Sequence, residues 1–545
     1  APANRGQACA KGRFGLDFVH SQERLTTPLI KRGGRFEEAT WEEALSLVAQ
    51  RLASFKGDQS ALIASAKCTN EESYLLQKFA RAVMGTNNID HCARLCHAST
   101  LAGLATAFGS AAMTNSTNEL AGAACILAIG TNTTETHPVI GYLVRRTARD
   151  GETKLIVANP RHIELCQVAD VWLRQRPGSD VALLGGMARV ILEENLYDAN
   201  FIRERCENFE AFRDSILRGF DLAQVERETG VPKDKIAEAA RMYATRKPAA
   251  ILFSMGITQS SHGTDNVLAL ANLAMLTGNL GKPSAGVNPL MGQNNLQGAC
   301  DMGCLPNVLP GYQPMSDEGY RRKFETAWGT HLPSTPGLFM LGMIEAMHKG
   351  QVKALYLVGE NPVITNPDVS YTKEALNKLD FFVAQDIFLS ETAQMAHVVL
   401  PACTFAEKDG TFTNTERRVQ RVRQAFPPKG QSQPDWWIVS QIAQRMGARG
   451  FSYEHPSQIM DEMASVTPIY GGISHGRLDN GGLQWPCPTA EHPGTPILHV
   501  GRFTRGKGRF MPLTYRPPQE LPDKDYPIIL TTGRDLYQYQ SGNMI

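Results

Sequence analysis

At 545 residues the chain is too long for one simple core, and two to four domains are expected. Lys and Arg number 55 against 54 Asp and Glu, so net charge gives no case for nucleic acid or for an anionic membrane surface. No apolar run is long enough to span a bilayer. Eleven scattered cysteines, an odd number in a large chain, do not make a secreted disulfide framework. They suit a reducing compartment, so the cytoplasm is expected. The periplasm stays open, because the chain does not begin with Met and a leader could have been removed.

Apolar strands alternate with helices for most of the length. Strands are expected at 61–64, 125–129, 154–157, 249–253, 354–358 and 381–384, with helices over 71–84 and up to Arg149. Such strands imply parallel sheets buried on both faces. Ligands of such sheets sit beyond the carboxyl ends of the strands. There the sequence has Gly130-Thr131-Asn132-Thr133-Thr134-Glu135, Asn159-Pro160-Arg161, Ser254-Met255-Gly256, Gly359-Glu360-Asn361-Pro362 and Gln385-Asp386. One such loop is ordinary turn chemistry. Five point to a large polar ligand without identifying it. The stretches 424–434 and 471–493 read as loops, and a last strand is expected over 526–532. The arginines 417, 418, 421 and 423 read as a solvated basic face.

Neither a P-loop nor a dinucleotide fingerprint is present, and neither is a zinc-peptidase helix or a nucleophile elbow. The densest group of soft ligands is His91-Cys92-Ala93-Arg94-Leu95-Cys96-His97, with a second pair at Cys300 and Cys304. Neither has a common zinc spacing. A thiolate followed by an imidazole suits a soft metal beside a group that can take a proton.

Residues 89–104, Ile-Asp-His-Cys-Ala-Arg-Leu-Cys-His-Ala-Ser-Thr-Leu-Ala-Gly-Leu, resemble the metal-ligand segment of molybdopterin formate dehydrogenases of the DMSO reductase superfamily. Residues 4–14 resemble the end of that family's iron–sulfur motif, and 275–283 and 292–303 follow in family order. The resemblance runs over essentially the whole chain. It implies oxidation of formate to CO2, or the reverse, at Mo or W held by a bis(molybdopterin guanine dinucleotide), with electrons leaving through a [4Fe–4S] cluster. Cys96 would be the metal ligand, His97 would manage the proton, and Gln293 would lie at the reaction site. Cys9 would be one cluster ligand, with three further cysteines expected upstream of it. Lys11 would assist electron transfer. Asn132, Glu135, Arg161, Gly178, Asp180, Met255, Gln259, Gly292, Gly359, Glu360, Asn361, Thr365, Gln385, Asp386 and Asp435 match cofactor-contact positions.

The implied fold is a multidomain α/β fold with two doubly wound α/β domains around the cofactor, an iron–sulfur lobe and the start of a C-terminal β-barrel. Its segments would be 1–28 (end of the iron–sulfur lobe), 29–95 with 295–404 (first cofactor domain), 96–294 (second cofactor domain), 405–520 (return to the lobe and crossing loops) and 521–545 (opening of the barrel). Electron-transfer subunits carrying Fe–S or flavin are the implied partners.

One residue departs from this pattern. The family places Arg before the Gly-Gln-Asn-Asn run to hold the formate carboxylate, and here that position is Met291. A thioether offers neither charge nor paired donors. Losing such a contact costs about 2–4 kcal/mol, or roughly 30- to 1000-fold. This leaves room for a related molybdenum oxidoreductase such as an oxyanion reductase, or for a non-catalytic subunit that only wires electrons. Intact Cys96, His97 and Lys11 speak for catalysis.

Overall fold

The computed structural model of the chain describes residues 3–539. They gather into two compact units, each discontinuous in sequence. The first runs up to Arg13 and includes Leu95–Gly292 and Pro496–Gln538. The second comprises Phe14–Arg94 and Gln293–Thr495, with Tyr539.

The first unit is built on five parallel strands in the order Gly286–Pro289, Ala249–Phe253, Cys125–Ile129, Lys154–Ala158, Val171–Leu173. Successive side chains of a strand point to opposite faces. Here both faces are apolar. Cys125, Leu127, Ile129, Ile156, Ile251 and Phe253 enter one core cluster, and Ile126, Ala128, Leu155, Val157, Ala250 and Leu252 enter the other. Burying one such side chain contributes about 1.5–3 kcal/mol, so the strands are fixed by helices on both sides. Among these helices are Pro138–Arg149 and Gly263–Leu276.

The second unit holds a seven-stranded sheet in the order Arg35–Glu38, Leu29–Arg32, Val398–Pro401, Phe381–Asp386, Ala354–Val358, Ser60–Ile63, Ile89–Asp90. Its last five strands are parallel, and the hairpin Leu29–Glu38 adds an antiparallel edge. The hairpin turns at Gly33 and Gly34, both at positive φ, as a two-residue turn between twisted strands requires. The helix Asn70–Lys78 opens on a capping box between Thr69 and Glu72, a feature that contributes about 0.5–2 kcal/mol.

The chain thus has the mixed α/β multidomain fold expected, with one all-parallel sheet and one whose parallel strands carry an antiparallel edge. Three local expectations fail. The helix expected to run to 84 widens into a π turn at Phe79–Val83. There the buried Arg81 guanidinium donates to the carbonyls of Gly303, Leu305 and Val308 at 2.7–2.9 Å. The arginines 417–423 are not a solvated face. Arg417 is wholly buried and donates to the carbonyl of Thr495, while Arg418 pairs with Glu416 and Arg423 with Asp479. No strand forms over 526–532; Ile528 and Leu530 are exposed, and no described strand pairs with this segment. No closed barrel forms among the described residues, and no helix among them is long and apolar enough to cross a membrane.

Candidate functional site

In the first unit the strand ends converge on a cleft of about 1040 Å³, above the ~300–1,000 Å³ of ordinary small-molecule pockets. Asn132, Arg161, Gly178, Asp180, Met255 and Gln259 all line it. They come from four separate segments; strand-end position pointed to Asn132, Arg161 and Met255, and the family resemblance alone pointed to Gly178, Asp180 and Gln259. Gly130 and Gly178 stand at positive φ of 57° and 81°, which lets the backbone turn at the rim without a side chain. The loop after Cys125–Ile129 is locked to the one after Ala249–Phe253 by the Gly256 N–H on the Gly130 carbonyl at 3.0 Å. Asp180 accepts from Gln175 at 3.0 Å, and burial pushes its carboxyl up to about 6.

Three polar atoms at this cleft are buried without a partner: Thr131 Oγ1, Gln175 Oε1 and Arg534 Nε. Such groups are costly unless something polar satisfies them. A polar ligand with phosphates, amides and ring nitrogens would supply what they lack, so the residues present fit a nucleotide-bearing cofactor.

Cys96 ends the short helix Ala93–Cys96. Its carbonyl accepts from Thr258 Oγ1 at 2.5 Å, and Gln259 donates to the Leu95 carbonyl at 2.7 Å. Burial pushes the Cys96 thiol up to about 12, opposed by Arg534. Cys96 is half-buried, and a thiol held this far from its charged form becomes a thiolate when a cation compensates it, as a coordinated metal does. His97 is wholly buried. Its Nδ1 lies 3.0 Å from Thr100 Oγ1, and its Nε2 has no hydrogen-bond partner. Burial drives the ring down to about 4, with His137 acting in the same direction and the Leu290 backbone against it.

Lys11 follows Cys9 at the start of the helix Ala10–Phe14. Its ammonium donates to the carbonyls of Glu135 (2.8 Å) and Leu536 (2.6 Å). Burial lowers its pKa, and the nearby Cys9, Asp535 and Glu135 oppose this. Glu135 therefore meets Lys11 through its backbone, and it does not line the cleft. Met291 is buried, with Gly292 next to it, and the Met291 carbonyl meets His137 Nε2 at 2.8 Å.

In the second unit Gln293 accepts a hydrogen bond from Cys92 Sγ. Lys67 donates to the Gly359 carbonyl at 3.1 Å and lies 3.8 Å from Glu360, which also accepts from Ser65. Burial works to lower Lys67, but Glu360 and Asp386 outweigh it, and its pKa is raised. Asp386 is pushed up to about 6 by burial.

The remaining expected contacts of this unit are turned towards protein. Asn361 is engaged by Glu391 and Thr392, and Thr365 donates to its carbonyl. Gln385 lies inside a strand and donates to Asp435 at 2.6 Å, and Asp435 pairs with the buried Lys408. Among the described residues one group of three potential metal ligands is close-set, Cys68, Glu72 and Asp435, and Lys408 already occupies its carboxylates. Cys300 and Cys304 are buried, Cys300 beside His91 Nε2 at 3.4 Å. Sequence reasoning missed Lys67, His137 and Arg534. Each belongs to a strand-end loop or a coil without a ligand spacing, and only the fold brings them to these positions.

Two parallel sheets, polar loops at their carboxyl ends and a cleft with unsatisfied polar atoms define a protein that holds a large polar cofactor. The molybdopterin oxidoreductase family matches residues 24–445, and the chain belongs to that family. It is 49% identical over 546 residues to the F420-dependent formate dehydrogenase subunit alpha of Methanocaldococcus jannaschii, covering 100% of this chain and 80% of that protein. It is 41% identical over 558 residues to formate dehydrogenase H of Escherichia coli, covering 99% and 78%. Among solved structures, acetylene hydratase from Pelobacter acetylenicus shares the fold, with a TM-score of 0.73 and 22% identity over 92% of this chain and 71% of that one.

Proposed function

We propose that this chain is the catalytic subunit of a formate dehydrogenase. The observation that carries the reading is a first-unit cleft with unsatisfied polar atoms, whose lining residue Gln259 donates to the carbonyl of Leu95 next to Cys96, in a chain 49% identical to a formate dehydrogenase alpha subunit. Formate gives CO2, one proton and two electrons. The bound metal–pterin group would take up the two electrons.

The chain's residues account for the rest. The Cys96 thiolate would hold the metal, Mo or W. The cleft residues Asn132, Arg161, Asp180 and Gln259 would hold one guanine dinucleotide arm, and the loop Gly359–Asn361 with Lys67 would serve the other. His97 carries a buried, unpartnered Nε2 that could receive the proton, and burial keeps the ring neutral and able to accept it. Gln293 would orient the substrate. Lys11, held on the Glu135 carbonyl beside Cys9, would lie on the electron path to a [4Fe–4S] cluster. The segment boundaries expected from the sequence belong to this proposal. So do partner subunits carrying Fe–S or flavin, and a cytoplasmic site, which the eleven free cysteines favour.

A second reading is favoured by Met291 alone: a related oxidoreductase acting on a different small oxyanion. Anaerobically purified, fully assembled enzyme tests both. Molybdenum or tungsten with formate-dependent dye reduction supports formate oxidation. Metal without formate turnover favours the second reading, and absence of both metals removes both.

A further inference from the structure

We propose that His137 is a positioning residue of the reaction site, holding the turn that carries Met291; this rests on the formate-oxidation reading. The ring follows the strand-end loop of Cys125–Ile129 and bonds at both nitrogens. Nε2 lies 2.8 Å from the Met291 carbonyl, and Nδ1 lies 2.8 Å from Thr136 Oγ1. A carbonyl only accepts, so Nε2 carries a hydrogen. Thr136 Oγ1 is also 2.8 Å from the Asn132 carbonyl. A hydroxyl has one proton to give. If it goes to Asn132, the ring must donate at Nδ1 as well; if it turns to Nδ1, the ring is neutral. In both arrangements Nε2–H stays on Met291, so the anchor does not depend on the ring's charge.

Next to Met291, Leu290 is tied to the end of the neighbouring strand, its N–H to the Phe253 carbonyl at 2.8 Å and its carbonyl to Ser254 Oγ at 2.8 Å. His137 adds the next fixed point along this turn. The charged and titratable groups acting on the ring are Lys11 and His97, both opposing a positive charge there. The short segment 132–137 thus touches the turn at the substrate position, and through the Glu135 carbonyl it touches Lys11.

The test compares His137→Phe, which fills the ring's place without donors, with His137→Gln, whose amide can donate where Nε2–H did. Both are made in the assembled, metal-loaded enzyme. Losing one neutral hydrogen bond from the turn should raise the KM for formate about five- to tenfold in the Phe variant, with kcat changed less. The Gln variant should return to within about threefold of wild type. Hydrogen exchange of the peptide spanning 286–295 should quicken in the Phe variant and recover in the Gln variant. Equal KM in all three proteins overturns the proposal, as does a Gln variant as impaired as Phe. A Phe variant that fails only by losing its cofactor leaves His137 a structural anchor and also overturns it. Wild-type enzyme that carries metal but does not oxidise formate counts against the functional reading instead, and the exchange experiment still reports on the anchor.

Discussion

Lys408 holds its ammonium 2.8 Å from a carboxylate oxygen of Glu72, both side chains almost wholly buried, and 2.5 Å from Asp435 on its other side. One cation thus serves two carboxylates in a dry interior. Removing a partner from a buried pair leaves an uncompensated charge and costs about 3–5 kcal/mol. Lys408→Met should therefore lower the unfolding free energy by that order, read as a lower urea midpoint at unchanged slope. A variant as stable as wild type would show that the network is neutral to folding.

The same cluster sets a pH dependence. Burial, outweighing the Lys408 charge, raises the Glu72 carboxyl from 4.5 to about 7. Between these values the unfolded chain has lost a proton that the folded chain keeps. This group therefore withdraws stability as pH rises from about 4.5 to 7, by up to ~2–4 kcal/mol. Glu72→Gln removes the titration while keeping the shape. Its thermal midpoint relative to wild type should climb between pH 5 and pH 8. Parallel curves for the two proteins would refute the assignment.

Gly130 and Gly256 bring the ends of two strands into contact. A Cβ on Gly130 would lie 2.8–2.9 Å from the Gly256–Ile257 backbone, at a φ of +57° that side chains avoid. Gly130→Ala should destabilise the first unit by about 1–3 kcal/mol and deform the cleft rim. The sensitive measurement is retained pterin nucleotide per chain alongside the thermal midpoint. Unchanged nucleotide content would mean that the rim tolerates the shift.

How far the sequence disclosed this differs between strand and loop. The strands Cys125–Ile129, Ala249–Phe253 and Ala354–Val358 were legible to the residue, because a short apolar run buried on both faces is nearly continuous in hydrophobicity. Leu29–Arg32 and Arg35–Glu38 were not, since an edge hairpin rich in Lys, Arg and Glu carries little apolar signal. Gln385 and Asp386 read as loop residues but extend a strand, because pairing with Val358, Leu400 and Pro401 overrides their low strand preference. Of the candidate site, the strand-end rule located Asn132, Arg161 and Met255 at one cleft. His137 and Arg534 depend on tertiary placement, which no local pattern records.

The Cys96 thiol sits in surroundings that disfavour its charged form, its pKa pushed up to about 12. If a metal ion compensates it, replacing sulfur by a harder ligand should disable the centre while leaving the cleft intact. Partners one shell away from a metal are worth about 10–100-fold, so Cys96→Ser should cost formate-dependent dye reduction more than about a hundredfold. Pterin nucleotide content should stay near wild type, because Arg161, Asp180 and Gln259 are untouched. Retained activity in the Ser variant would rule out a thiolate ligand at this position.

Met291 is buried and its carbonyl is held by His137, so its side chain can be exchanged without breaking that backbone anchor. Arg at this position would bring a charge and paired donors to a carboxylate substrate. If formate is the substrate and binding is limited by the missing guanidinium, Met291→Arg should raise kcat/KM for formate by roughly 30- to 1000-fold. The cost is burial of a cation, which should lower the thermal midpoint of the formate-free enzyme and be relieved as formate is added. Steady-state kinetics and thermal shifts with and without formate measure the two effects together. A variant that binds metal normally yet gains nothing on formate, while gaining on another small oxyanion, would move the substrate assignment to that oxyanion.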